Sequence, residues 1–326
     1  MNRDKNILAL LLILFFTGYV QAGGKFAHKA IDRPDIPVDK NSLYSTVKYL
    51  ASLNPPRNYR NISSLNKAAA YIERSFRESG YTPEIQTFKQ EFRLSKDEFK
   101  NIICSLGPPD AERIIVGAHY DVFGDQPGAD DNASGIAGLL ELARILKIQN
   151  PALKYRVDFA AYSLEEPPFF RTDSMGSAVH AKSLFDSGKK IKAMICLEMI
   201  GYYSESRGTQ GFPMFIMKLF YPSRGNFIAV VGNSGQGKLI RQVKKNMKTG
   251  PGMGVESLSA PSWLPGTDFS DHLNYWKYGY KAVMVTDTAF FRNPNYHNST
   301  DTIETLNFDK MSEVVKGIYQ AIVNLE

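Results

Sequence analysis

Cysteine is scarce in this chain: 326 residues hold two, Cys104 and Cys196. That excludes a cysteine-rich metal motif. Each sits in an apolar, strand-like run, NIICSL or AMICLEMI, and reads as a buried free thiol. An exported protein could also pair them. Long hydrophobic runs are equally scarce. The longest, Ile7 to Phe16, has ten residues, too few to span a bilayer. Dense basic runs are missing as well. Lys+Arg of 39 against Asp+Glu of 33 leaves +6, spread along the chain. The two densest stretches, Lys189 to Lys192 and Arg241 to Lys248, read as solvated faces, so nucleic acid is not an expected partner. No tract is repeated or of low complexity.

The N-terminus has the layout of an export signal. Arg3 and Lys5 precede the ten-residue apolar core, and Val20-Gln21-Ala22 offers a small-residue cleavage site. The expected organisation is a signal peptide over 1–22, a linker over 23–40 and one domain over 41–326. The expected location is secreted or periplasmic. No cysteine lies near the cut, so no lipid anchor and no membrane association is expected after signal removal.

The domain opens with two helical stretches. Leu43, Val47, Leu50 and Leu53 share one helix face, and SSLNKAAAYIERSFRESGY has Ser64 as a candidate N-cap and Gly80 as a stop. Strands and helices then alternate: NIICSL, RIIVGA, helical SGIAGLLELARILK, YRVDFAAYS, helical MGSAVHAKSLFDSG, KAMICLEMI, late KAVMVTD and a closing helix from Asn307. The pattern predicts an α/β fold, a three-layer α/β/α sandwich around a mostly parallel mixed sheet. Residues 202–227 and 249–266 are rich in Gly, Pro, Ser and aromatics and read as long loops.

In open α/β sheets ligands bind beyond the carboxyl ends of the strands. RIIVGA runs straight into His119, Tyr120 and Asp121. The next loop, GADDNASG, carries Asp130 and Asp131. YRVDFAAYS is followed by Glu165 and Glu166, KAMICL by Glu198, and the late strand by a loop with His297 and Asp301. Several carboxylates brought this close repel, and divalent cations remove that cost. Imidazole with carboxylate is a ligand set that catalytic zinc accepts. Five candidate ligands are too many for one tetrahedral zinc with an open position. They suit two zincs that share a carboxylate. Of the other histidines, His28 is incidental, His180 reads as a surface or half-buried structural residue, and His272 as a packing or supporting one. Asp121 could accept the other ring N–H of His119.

HYD, GADDNASG, LEE, LEMIG and YHNSTDT occur together, in that order, from about Leu43 to the C-terminus. In this the chain resembles the co-catalytic zinc aminopeptidases, whose superfamily also holds glutamate carboxypeptidases and glutaminyl cyclases. The resemblance implies two Zn2+ per chain. It implies His119 and Glu198 on one, Glu166 and His297 on the other, and Asp131 bridging. It makes Glu165 the general base acting on a water held between the metals. It gives Tyr296 a part in polarising the scissile carbonyl, and makes Asp121 and Asp301 supporting residues. Many members carry Asp where Glu198 stands. The implied activity is an exported aminopeptidase acting on peptides with a free N-terminus, with the oligomeric state left open. Two alternatives share the fold: a one-zinc glutaminyl cyclase-like aminoacyltransferase, and a non-catalytic ectodomain. The Asp-Asn of GADDNASG and Tyr296 point to the peptidase, since cyclases tend to carry Asp-Ser and Trp there. A carboxypeptidase specificity would need an arginine-lined pocket.

Overall fold

Residues 36–89, 97–248 and 253–326 are described by the structure, a computed structural model. The expected signal peptide, its cut after Ala22 and most of the expected linker lie outside the described residues. Every described element falls in one unit, Ile36–Glu326.

The chain enters through helix α1 (Lys40–Ala51), where the Asp39 side chain accepts from the Asn41 N–H at 2.9 Å. This satisfies one of the donors that a helix start leaves free. Leu43, Val47 and Leu50 form its buried stripe. Helix α2 (Ile62–Glu78) starts three residues earlier than a Ser64 cap would place it: Asn61 is the N-cap, and Ser64 lies buried in the first turn. Gly80 follows the helix at φ +81, a left-handed conformation that a Cβ disfavours.

Eight strands then build one sheet: β1 (Glu84–Lys89), β2 (Glu98–Leu106), β3 (Arg113–His119), β4 (Arg156–Tyr162), β5 (Ile191–Glu198), β6 (Phe227–Asn233), β7 (Gly254–Ala260) and β8 (Ala282–Thr286). Their spatial order is β1-β2-β4-β3-β5-β8-β6-β7. The four central strands, β4, β3, β5 and β8, run parallel to one another. The antiparallel pairs are β1 with β2, β2 with β4, and β6 with β8. The helices are α3 (Gly135–Gln149), α4 (Gly176–Asp186), α5 (Gly237–Met247), α6 (His272–Trp276) and α7 (Phe308–Val323).

Alternation along the strands splits the core into two layers. Ile114, Val116, Phe159, Ile195, Leu197, Val230 and Val285 face α1, α2, α3, α5 and α7. Ile115, Ala160, Tyr162, Met194, Cys196 and Met284 face α4 and α6. Successive side chains of a strand point to opposite faces, so apolar runs without alternation are what a sheet covered on both sides requires. Cys104 belongs to the first layer and Cys196 to the second, and both are free. The sheet itself stands between them.

A second expectation fails on the fold. The stretch 249–266, read as a loop, contains the edge strand β7, paired in parallel with β6. Its burial pattern is broken, and half-exposed Glu256, Ser257 and Leu258 give it no apolar signature. Residues 249–252 lie outside the described residues.

Candidate metal centre

The parallel arrangement of β4, β3, β5 and β8 puts their carboxyl ends side by side. His119 is the last residue of β3 and Glu198 the last of β5. Glu165 and Glu166 follow β4 after Leu164, which turns the chain at φ +62. His297 comes from the loop after β8, itself at φ +56. Asp131 comes from a wide turn, Ala129–Ser134, leading into α3.

These side chains form two groups that meet at Asp131. His119 Nε2 lies 3.4 Å from Asp131 Oδ1 and 3.3 Å from Glu198 Oε2. His297 Nε2 lies 3.2 Å from Asp131 Oδ2 and 3.3 Å from Glu166 Oε2. Ligand atoms held roughly 2.0–2.1 Å from one tetrahedral zinc stand about 3.3–3.4 Å apart, the edge of that tetrahedron. All four separations sit at or close to that edge. Glu165 Oε2 is 3.9 Å from His119 Nε2, outside it. Both ring nitrogens of His119, Glu166 Oε1 and His297 Nε2 are buried with no hydrogen-bond partner. Buried polar atoms are ordinarily paired, and orphans that converge are what metal ligands look like without their ion. The donor set and its spacing therefore fit zinc.

Two aspartates brace the ligand turns from behind. Asp121 accepts from the backbone N–H groups of Glu165 and Glu166, at 3.1 Å each. Its Oδ1 is also 3.5 Å from His119 Nδ1, the contact expected for it, at a distance too long for a directed hydrogen bond. Asp301 does for Asp130 and Asp131 what Asp121 does for the glutamates, accepting their N–H groups at 2.9 and 3.0 Å. Asp130 turns away from the cluster, with Oδ1 on the Gly201 N–H at 2.9 Å and Oδ2 on Asn293 at 2.8 Å.

Burial and crowding shape the protonation of these groups. Burial pushes Glu166 up to about 8, with Asp131 adding to it. Burial also raises Glu165 well above the carboxylate range; His119 opposes this, while Glu166 and Glu198 reinforce it. For His297 burial works against charge, but Asp131 and Glu166 outweigh it and lift the imidazole to about 10. Asp131 is held below the usual carboxylate range: burial opposes this, but both imidazoles favour its charge. So dense a carboxylate cluster draws positive charge, as protons or as metal.

Residues that sequence reasoning passed over complete the site. Asn132 ties the Asp131 turn to the end of β5, donating to Leu197 O at 2.9 Å and accepting from the Met199 N–H at 3.0 Å. Ser270 donates to Glu198 Oε2 at 2.6 Å. Its neighbour Asp271 is buried, and that burial lifts its pKa to about 7, with both oxygens unpartnered. Phe123 and Tyr296 stack on His297, with ring centroids 4.2 and 3.8 Å away. Asn132 and Asp271 follow or stand among acids in the sequence and could have been suspected from that. Ser270 and Phe123 carry no such signal. His180, expected at or near the surface, is 3% exposed and bonds Tyr275 Oη at 2.9 Å. His272 is buried, 2.9 Å from Thr267 O, and packs edge-on against Trp276.

Beside Glu198 opens a cleft. Its floor is the second sheet face over β6 and β8, with Phe227, Ala229 and Met284; its walls include Met217, Phe269 and Phe291, and Tyr296 stands at the metal end. Among the described residues no arginine lines it, and an arginine-lined pocket is what a carboxypeptidase reading would need.

This fold and this site define a metallo-exopeptidase, a hydrolase. Residues 101–322 match the model of Peptidase family M28, and the chain belongs to that family. Uncharacterized protein YfbL of Escherichia coli K12 is 44% identical over 98% of this chain and 96% of its own length. Leucine aminopeptidase 1 of Metarhizium robertsii is 27% identical over 65% of the chain, which spans about half (51%) of that relative's length. Among solved structures, BSAP, a zinc aminopeptidase from Bacillus subtilis, superposes with a TM-score of 0.70 at 16% identity, covering 88% of this chain and 95% of that one. A glutaminyl cyclase from Bacteroides thetaiotaomicron superposes at 0.67 and 19% identity, covering 90% and 100%. At these identities the two superpositions speak for the fold. Among the described residues no helix is long and apolar enough to cross a membrane.

Proposed function

We propose that the chain is an exported, two-zinc aminopeptidase. Three groups of side chains stand close enough to hold an ion, and the observation that carries this is that two of them, His119-Asp131-Glu198 and Asp131-Glu166-His297, have Asp131 in common. Glu165 stands with His119 and Glu166 in the third group, but at 3.9 Å from His119 it is farther than the other carboxylates, and in this reading it is the general base.

Zinc at both groups would supply Lewis acidity to an attacking water and to the peptide carbonyl. The chain's residues do the rest. Glu165 takes the proton of the attacking water and returns it to the leaving amine. Asp121, on the backbone of both glutamates, keeps Glu165 facing water while Glu166 faces metal. Tyr296 is held strongly in its protonated form by burial and by Asp131, so its hydroxyl remains a donor for the scissile carbonyl. The apolar cleft beside Glu198 takes the N-terminal side chain, and its lining favours apolar residues. Export rests on the Arg3, Lys5 and Ile7 to Phe16 pattern with a cut after Ala22.

The likeness to a glutaminyl cyclase keeps a second reading in play, because the fold alone does not separate the two. A one-zinc enzyme would need only one of the two ligand groups, and both are complete here. Zinc stoichiometry on the mature protein, with a panel of aminoacyl-anilides and glutamine-started peptides, tests the choice. Two zincs and stepwise release of residues from free, not acetylated, N-termini support the aminopeptidase. One zinc and loss of ammonia without shortening of the peptide would mean the cyclase. Neither product from zinc-loaded protein would favour a binding ectodomain.

A further inference from the structure

The turn before α2, NPPRN, played no part in the reading above, yet it reaches the metal centre. Arg57 is 1% exposed. Its Nε donates to Tyr120 O at 2.8 Å, Nη1 to Pro127 O at 2.6 Å and to Leu50 O at 3.0 Å, and Nη2 to Gly128 O at 2.6 Å. Tyr120 sits between His119 and Asp121. Gly128 lies three residues before Asp131. Asn58, next to Arg57, donates to Gly124 O in the same loop.

We infer that Arg57 is a positioning residue for the metal centre. One planar guanidinium holds the turn bearing His119 and Asp121 at a set distance from the turn bearing Asp131. This rests on the two-zinc reading. The fork geometry matters because five N–H donors in one plane can reach carbonyls on several segments at once, which an ammonium on a flexible stem cannot do. The cradle is tight: a Cβ on Gly128 would lie 3.1 Å from Arg57 Nη2 and 2.3 Å from Asp131 O.

The hydrogen bonds of Arg57 are not spread at random: three of the four go to Tyr120, Pro127 and Gly128, on the segments that lead into or out of the candidate ligands. A buried guanidinium is costly to desolvate, and these bonds offset that cost. Burial lowers its pKa to about 10, and Asp301, Asp131, Asp121 and Glu166 resist that fall. It therefore stays charged at neutral pH. Its charge faces the carboxylates that the ligand turns carry.

The test compares Arg57→Lys, which keeps the charge and loses the fork, with Arg57→Met, which loses both. Zinc release to a colorimetric chelator, melting temperature, kcat and KM are read for each, after zinc retention is confirmed in the wild type. Arg57→Lys should fold, release zinc about 10–100-fold faster and lose kcat by a similar factor, the usual scale for residues behind metal ligands. KM for an apolar anilide should stay within about twofold of wild type, because the cleft is untouched. Arg57→Met should do the same or worse, and if it does not fold, Arg57→Lys decides alone. Wild-type zinc release and kcat in Arg57→Lys, with only the melting temperature lowered, would overturn the positioning role and leave the two-zinc reading intact. A wild type that takes up no zinc would sink that reading and this inference with it.

Discussion

The two halves of the sheet differ in what stands on their second face. Over β4, β3 and β5 helices α4 and α6 close it, and the ligands sit at strand ends held by buried side chains: Asp121, Asp301, Asn132 and Arg57. Over β6 and the end of β8 the described residues place only loops and the short 3-10 turns Phe215–Leu219 and Ala289–Phe291 on that face. These roof it and leave an apolar cleft. Metal ligands need positions fixed to a fraction of an ångström, and a side-chain pocket needs shape and dryness. In the proposed reading the first task falls to the most braced part of the molecule and the second to its loops. Glu198 and Tyr296 touch both parts, so chemistry and selection meet there and should be separable elsewhere.

The sharpest way to break that separation is Asp131→Ala. Removing the residue common to both ligand groups should empty both metal positions and abolish turnover, as read by metal analysis and anilide hydrolysis. Glu165→Gln, on the same half, should lower kcat by about 10²–10⁴-fold, the scale of general base catalysis, with metal content unchanged. Equal metal loss in both variants would show that Glu165 is itself a ligand.

A smaller effect should come from the other half. Ala229→Phe puts a ring into the cleft floor. KM for leucyl-anilide should rise about 10–100-fold, the range that a few methylenes of pocket contact can supply. Alanyl-anilide should suffer less, and zinc content should stay at the wild-type value. Zinc loss in this variant would mean the two halves are mechanically coupled.

Legibility from sequence follows the same division. The ligand half was readable because strands announce themselves as apolar runs, and the residue types that follow them are chemically restrictive. His119, Glu198 and the Glu165-Glu166 pair stand directly at strand ends. The cleft half was readable only in part: β8 and the loop character of 202–227 were, and β6 and β7 were not. β7 carries Glu256 and half-exposed serines, and its pairing with β6 is a tertiary fact with no local signal. Arg57 was hidden for another reason: an arginine after two prolines looks like a solvated turn, and only the folded chain shows four carbonyls around it. Ser64 looked like a helix cap because the apolar pattern began after it, but Asn61 took the position.

The smallest effect concerns pH and the metal-free chain. Burial opposes charge on His297, but Asp131 and Glu166 raise it from 6.5 to about 10. Its imidazolium therefore stabilises the fold fully below pH 6.5, and the gain is lost as pH rises through 10. Burial, with Asp131, raises Glu166 from 4.5 to about 8, so burying it as a carboxylate is penalised increasingly from pH 4.5 to 8. Both trends have one sign. The chelated protein should lose a few degrees of melting temperature from about pH 5 to 10, and the zinc-loaded protein should show a flatter profile. Uptake of zinc near pH 7 should release protons, measurable with an indicator dye.

The placement of the two thiols on opposite sides of the sheet has a consequence for folding and handling. No rearrangement short of unfolding can join Cys104 to Cys196, and burial pushes both thiols up, far from the thiolate that would react. The thiols of the native chain are therefore indifferent to its redox surroundings. The chain needs no oxidant or disulfide isomerase to reach this fold, and reducing agents take nothing from it. It has no covalent staple among the described residues, so its resistance to unfolding rests on the packed layers and on whatever the metal centre holds.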